Sequence, residues 1–257
     1  MLSVVIPAYD EEDRLPDVLK VLRGHLAGQE YEIVVVDDGS SDRTADVAGR
    51  HGCRVVRHPA NMGKGAAVKS GVLASRGDMV LVTDADLAAP ITELPKLEAA
   101  LAGGADVAVG SREATGAKVW RASFKRKAAG RAFNLLARLM TGLPYRDTQC
   151  GFKLFKGYAA RALFSRAGCR GYCFDVEILL LARRLGLVVK EVGVEWRDRP
   201  GSKVRLLRDG WRMFRELLEI RRKFAGSFSP AIPGISAPGG VSCPASSPDT
   251  CPRREAG

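Results

Sequence analysis

The feature that most limits the fold is the alternation, up to Arg112, of short apolar β-rich runs with helical stretches. Leu2–Ile6, Ile33–Val36, Arg54–Val56, Met79–Val82 and Val107–Val109 read as strands. Arg14–Leu26, Thr44–His51, Ala66–Ser75 and Leu94–Leu101 read as helices between them. The first two strands are continuous Val/Ile runs rather than alternating patterns, which suits strands buried on both faces. The spacing predicts an α/β fold with a doubly wound, mostly parallel sheet. In such sheets ligands sit outside the carboxyl ends of the strands, so the turns that follow each strand are where chemistry is expected.

Beyond Arg112 the pattern changes. A basic amphipathic helix is expected over Ser123–Met140, another helix around Asp175–Leu185, a strand over Val188–Trp196 and a last helix over Val204–Phe224. The last helix gathers Leu206, Leu207, Trp211, Phe214, Leu217, Leu218 and Phe224 on one broad face, with many Arg side chains on the other. Such a helix either packs on the core or lies at a membrane interface. From Ser227 the chain is Pro, Gly, Ser and Ala with few large apolar residues, too few to offset the entropy of ordering. The expected organisation is therefore one domain over 1–226, with a C-terminal amphipathic helix at 204–224, and a disordered tail over 227–257.

The 40 Lys and Arg against 29 Asp and Glu give a net charge of +11, which suits a polyanionic partner: nucleic acid, anionic headgroups or a phosphorylated substrate. No nucleic-acid recognition motif or aromatic-basic interleaving is present, so nucleic acid is set aside. No apolar run approaches the roughly 18 residues of a spanning helix. Neither a basic leader nor a small-residue cleavage site precedes the first strand, and the six Cys show no disulfide regularity. A cytoplasmic protein with reduced thiols is expected.

Three acidic clusters end apolar strands: Asp10-Glu11, Asp37-Asp38 and Asp84-Ala85-Asp86. Brought to one crevice, their carboxylates would repel one another unless a cation compensates them. Mg²⁺ or Mn²⁺ accepts oxygen ligands and also bridges a diphosphate. In Asp84-Ala85-Asp86 one carboxylate is expected to bind the metal and the other to orient ribose or sugar. The bland alternative is a turn in which Asp caps the next helix. Gly63-Lys64-Gly65 lacks the spacing of a P-loop. Two readings stand for it: a turn opening a helix, or a turn that also brings Lys64 to a phosphate.

Taken in order, Pro7-Ala8-Tyr9-Asp10-Glu11, Asp37-Asp38-Gly39-Ser40, Asn61–Gly65, Asp84–Leu87, Gly110-Ser111-Arg112, Lys125-Arg126-Lys127, Asp147–Phe155 and Gly201-Ser202-Lys203 resemble the successive motifs of inverting family 2 glycosyltransferases with the GT-A fold. The set covers about Leu2 to Phe224 and resembles the polyprenyl- and dolichyl-phosphate sugar synthases. The run Asp147–Phe155 is most similar to that of the dolichyl-phosphate β-glucosyltransferases. The resemblance implies that Pro7, Tyr9, Glu11, Val35 and Asp37 line the base and ribose of a nucleotide-sugar donor. It implies that Asp84, Ala85 and Asp86 serve the diphosphate, with Asp84 and Asp86 holding Mg²⁺ or Mn²⁺. Arg112 and Arg126 match basic residues that approach the donor or acceptor phosphates, and Lys203 matches a late lysine in the same role. Where some relatives place a Gln metal ligand this chain has Ala88.

From position, Arg131 joins the acceptor-side group, while the role of Asp147 stays open. Asp86, Arg112 and Arg126 are the candidates for the chemistry itself. A phosphate acceptor needs no strong base, because its second ionisation lies at about pH 6. In-line attack on an α-linked donor then gives a β-linked product. The expectation is an inverting hexosyltransferase, peripheral at the inner face of a membrane, moving glucose from UDP-glucose onto a polyprenyl phosphate. A GDP-mannose enzyme and a soluble transferase with a non-lipid acceptor are the alternatives.

Overall fold

The computed structural model describes residues 1–120, 124–197 and 206–225, without the side chains of 124–127 and 206–208. The strands are β1 (Leu2–Ala8), β2 (Tyr31–Asp37), β3 (Arg54–Arg57), β4 (Met79–Val82), β5 (Val107–Ser111), β6 (Lys118–Trp120), β7 (Lys153–Lys156), β8 (Val189–Gly193) and β9 (Glu195–Arg197). The helices are α1 (Leu15–Leu26), α2 (Thr44–Arg50), α3 (Lys64–Ala74), α4 (Leu94–Ala102), α5 (Phe124–Thr141), α6 (Gly157–Arg166), α7 (Phe174–Arg184) and α8 (Leu206–Lys223). Among the described residues a seven-stranded sheet runs β3-β2-β1-β4-β7-β5-β8.

The continuous Val/Ile runs do what their pattern requires. Val4 and Ile6 of β1 face one apolar layer, with Leu15, Leu19, Leu22 and Leu26 of α1. Val5 faces the other, with Val68 and Val72 of α3 and Phe155, Leu163 and Leu179. Gly71 lets α3 approach this second face closely, since a Cβ there would strike Val5 and Val36. Burying strands on both faces in this way removes apolar area at about 25 cal/mol per Å² and leaves the polar turns at the strand ends.

One local expectation is corrected, and two elements go beyond the expected ones. First, Val188–Trp196 is not one strand. β8 pairs with β5 in the main sheet, and β9 pairs with β6 in a separate two-stranded ribbon. The break falls where Gly193 lies too close to Thr115 and Ala117 to carry a side chain. Second, Lys153–Lys156 is a strand, inserted antiparallel between β4 and β5. Third, α6 follows it at once, in a stretch where no helix was expected. The tail at 227–257 and Lys203 lie outside the described residues, as does the side chain of Arg126.

Candidate active site

The turns after β1, β2 and β4 meet at one end of the sheet. Those after β1 and β2 lock each other. The Asp10 backbone N–H donates to Ser40 Oγ at 2.9 Å, Ser41 N–H to Asp10 Oδ1 at 2.8 Å, and Glu11 N–H to Thr44 Oγ1 at 2.8 Å. Asp10 sits at φ 50° and Leu87, in the turn after β4, at φ 46°. Left-handed non-glycine residues are costly and cluster where a turn must hold a set shape.

The second acidic cluster is tied into its own turn and the next loop. Asp37 is buried, closes its own turn by accepting from Ser40 N–H at 3.0 Å, and has Arg57 Nε at 3.7 Å. Asp38 accepts from Met62 N–H and Gly63 N–H, both at 2.9 Å, and pairs with His58 Nδ1 at 2.7 Å. It therefore anchors the loop that leads into α3. Val35 is fully buried between β1 and β3 and offers no exposed side-chain surface to a base. Pro7 is half-buried and Tyr9 exposed at the end of β1; Glu11 pairs with Arg14 at 2.9 Å.

The third cluster holds the charge. Lys64, the first residue of α3, places Nζ 2.6 Å from Asp84 Oδ1. Burial would lower the Lys64 ammonium, but the charges of Asp84, Asp175 and Asp86 outweigh it and raise its pKa. Asp86 lies beside them with Oδ1 accepting from Ala88 N–H at 2.9 Å. Burial, and then the charge of Asp84, push its carboxyl above the usual range, against the Ala88 hydrogen bond and the charges of Lys64 and Arg14. A carboxylate pushed up by its neighbour's charge is what a dication relieves. Among the described residues no three His, Cys, Asp or Glu side chains cluster as a closed metal cage. The residues nonetheless fit Mg²⁺ or Mn²⁺, which binds through one or two carboxylates together with substrate phosphates and water. Ala88 is buried, its carbonyl accepting from Arg197 N–H at 2.7 Å. Ala85 is also nearly buried.

The segment Asp147–Phe155 builds the opposite wall, and here the open role of Asp147 is resolved structurally. Asp147 is fully buried. It accepts from Arg112 Nε at 2.7 Å, from an Arg112 terminal nitrogen at 2.9 Å and from Arg112 backbone N–H at 3.0 Å. Burial pushes its carboxyl up, but the hydrogen bonds and charge of Arg112 prevail and hold it down at about 2. The Arg112 guanidinium also lies over Trp196 of β9, 5.0 Å from the ring centre. Thus Arg112 is aimed by two partners while about a quarter (27%) of its side chain stays exposed. Thr148 holds Asn134 of α5, and Gly151 is bare because a Cβ would collide with the Asp84 carboxylate. Arg131 is engaged by Glu113 at 2.9 and 3.0 Å on the surface.

Sequence reasoning missed a layer beneath the site. Lys153 and Asp175 form a buried pair at 2.6 Å, and Asp175 in turn acts on Lys64. Charges therefore alternate from Asp84 through Lys64 and Asp175 to Lys153. The available signal was a Lys in the otherwise apolar Phe152–Phe155 and an Asp at the start of an apolar helix, since buried charges persist only when paired.

The family model described as "Glycosyl transferase family 2" matches residues 3–167. The chain is 39% identical to the dolichyl-phosphate beta-glucosyltransferase of Drosophila melanogaster over 240 residues, 85% of this chain and 74% of that protein. It is 34% identical to the Homo sapiens protein of the same name over 244 residues, 87% of this chain and 75% of that one. Among solved structures, glucosyl-3-phosphoglycerate synthase of Mycobacterium tuberculosis in complex with Mn²⁺, UDP and glucosyl-3-phosphoglycerate superposes with a TM-score of 0.66 at 23% identity, covering 88% of this chain and 80% of that one. At that identity the likeness speaks for the fold: an α/β architecture of GT-A type.

Proposed function

The chain belongs to glycosyl transferase family 2, and from that membership we propose that it moves a hexose, glucose from UDP-glucose, onto a polyprenyl phosphate of dolichyl type, with inversion to a β-linked lipid-phosphate sugar. The observation that carries the reading is identity above 30% to dolichyl-phosphate glucosyltransferases along most of the chain. The site supports it chemically. The acceptor phosphate is its own nucleophile, so the protein must position that anion and stabilise the departing diphosphate. Arg112, fixed by Asp147 and Trp196, presents guanidinium donors to a phosphate. Arg126, Arg131 and Lys203 are proposed to assist on the acceptor side; Arg131 would first release Glu113. Pro7, Tyr9, Glu11 and Asp37 are assigned to the nucleoside, and Lys64 to the diphosphate. Asp84 and Asp86 would hold Mg²⁺ or Mn²⁺, which supplies positive charge to the leaving group. We take 1–226 as the catalytic domain. Turnover with a panel of UDP- and GDP-sugars, polyprenyl phosphate and either metal tests the reading. UDP-glucose should give the highest kcat/KM; a clear preference for GDP-mannose would replace it with the mannosyl reading.

We also place the enzyme at the inner membrane surface. Among the described residues no helix is long and apolar enough to cross a membrane. On α8, however, Trp211 is 65% exposed and lies 5.8 Å from the Phe214 ring. Exposed Arg212 and Arg215 accompany them, and Leu135 and Leu139 stand out on α5, which packs beside α8. Flotation with anionic vesicles at low salt should carry the protein upward. Binding should fall as salt screens exposed charge over about 10 Å, and again on replacing Trp211 and Phe214 by Ser. A second reading, a soluble phosphorylated acceptor, has one observation in its favour: Leu217 and Ile220 of the same helix, and Phe224 just after it, are buried in the core. A wild type that stays with the soluble fraction would leave that reading standing.

A further inference from the structure

The second half of α8 does more than pack. Leu217 and Ile220, with Phe224 just beyond its end, anchor it in the core. Yet Glu216, whose side chain is only 14% exposed, turns its carboxylate onto the backbone of residues 168–173, the segment between α6 and α7. Oε2 accepts from Cys173 N–H at 3.1 Å, while Oε1 is held by Arg212 Nε at 3.2 Å. Gly171 is glycine for this contact, since a Cβ there would overlap the carboxylate. Lys223 adds a second grip, 2.5 Å from Glu177, whose other oxygen accepts from Gly168 N–H at 2.8 Å and Cys169 N–H at 2.6 Å.

The far side of the same segment touches the start of α3. Gly65 N–H donates to Gly171 O at 3.2 Å and Ala66 N–H to Arg170 O at 3.1 Å. Gly63 and Gly65 are bare where Arg170 O and Cys169 O come against them. Between those two glycines stands Lys64, bonded to Asp84. Gln149 Nε2 also reaches Tyr172 O at 3.3 Å, linking the segment to the wall that carries Asp147.

We propose that Glu216 is a positioning residue of the transfer site: acting through residues 168–173, it sets where Lys64 stands opposite Asp84. The inference rests on the reading of Asp84 and Lys64 as the donor diphosphate site. It is tested by calorimetric titration of UDP with Mn²⁺, donor kinetics and thermal melting, on the wild type, Glu216→Ala, Glu216→Gln, Glu216→Asp and Leu217→Ala. Small displacements of positioned groups cost rate and affinity steeply, so Glu216→Ala should weaken UDP about tenfold and raise the donor KM. Glu216→Gln keeps an oxygen for Cys173 N–H and should return to within about threefold of wild type. Glu216→Asp, which keeps the charge but withdraws it by one methylene, should lose affinity as Ala does, and carries the test if the Ala variant does not fold. Leu217→Ala should lower the melting temperature more while leaving UDP affinity within about twofold of wild type, as a purely structural lesion would. UDP affinity unchanged in both Glu216→Ala and Glu216→Asp, or affinity lost in Leu217→Ala in proportion to its melting temperature, overturns the proposal. A wild type that binds no UDP overturns instead the donor reading beneath it.

Discussion

Replacing Asp86 by Asn should reduce sugar transfer by about 10²–10³-fold, the range seen when one preorganised charge-stabilising group is removed, without lowering the melting temperature. The direction of both effects follows from the surroundings of this carboxylate. In the folded protein Asp86 is penalised by burial and by the neighbouring charge of Asp84. An Asn removes that repulsion and keeps an oxygen to accept from Ala88 N–H, so the fold loses nothing and can gain. What it removes is the second of the two carboxylates proposed to hold a divalent cation at the donor diphosphate. Steady-state turnover with UDP-glucose, alongside a thermal melt, reads both. Full activity in the variant, or undiminished activity of the wild type in excess EDTA, would end the metal-dependent mechanism.

Asp147→Ala should be the most damaging single change to stability in the site, about 3 kcal/mol, because it strands the Arg112 guanidinium among groups chosen for a paired charge. For a domain of this size that corresponds to a fall of roughly 6–12 °C in melting temperature. The double variant Arg112→Ala/Asp147→Ala should recover part of this stability, having no orphaned charge, but none of the activity. A pH series adds a signed check. The Asp147 carboxyl is held down at about 2 in the folded protein. It lies near 3.9 in an unfolded chain, so its contribution is fully present above about pH 4 and is lost as the pH falls toward 2. The melting temperatures of wild type and Asp147→Ala should therefore converge over that window. If they stay parallel, Asp147 is not the anchor of Arg112 in solution.

Some of this was legible in residues read one segment at a time. Val4, Val5 and Ile6 announce a strand buried on both faces, because an unbroken apolar run leaves no face for water. Asp10, Asp37 and Asp84 announce the working end of the sheet, because carboxylates directly after such strands are forced to the rim. The helix over Leu15–Leu26 follows from Pro16 in its first turn and leucines three and four apart. These are local properties, fixed by spacing and by the polarity of neighbours along the chain. The antiparallel entry of Lys153–Lys156 was not of this kind, since strand direction is set by the elements on either side. Nor was the split of Val188–Trp196, which depends on the close approach of Thr115 and Ala117 to Gly193.

The charge pairings belong wholly to the tertiary structure. Asp147 and Arg112 are 35 residues apart, and nothing in either neighbourhood names the other. Lys64 faces Asp84, and Asp175 faces Lys153, only because α3 packs on β4 and against α7, while β7 pairs with β4. On α8 the hydrophobic periodicity defines an apolar face but not what covers it: Leu217, and Phe224 just after the helix, went to the core while Trp211 stayed exposed. Sequence thus determined that the unbroken apolar strands must be buried and where carboxylates must emerge, since both follow from local pattern. Which charge neutralises which was decided by packing alone, since Coulomb energy depends on distance in space, and chain order does not set that distance.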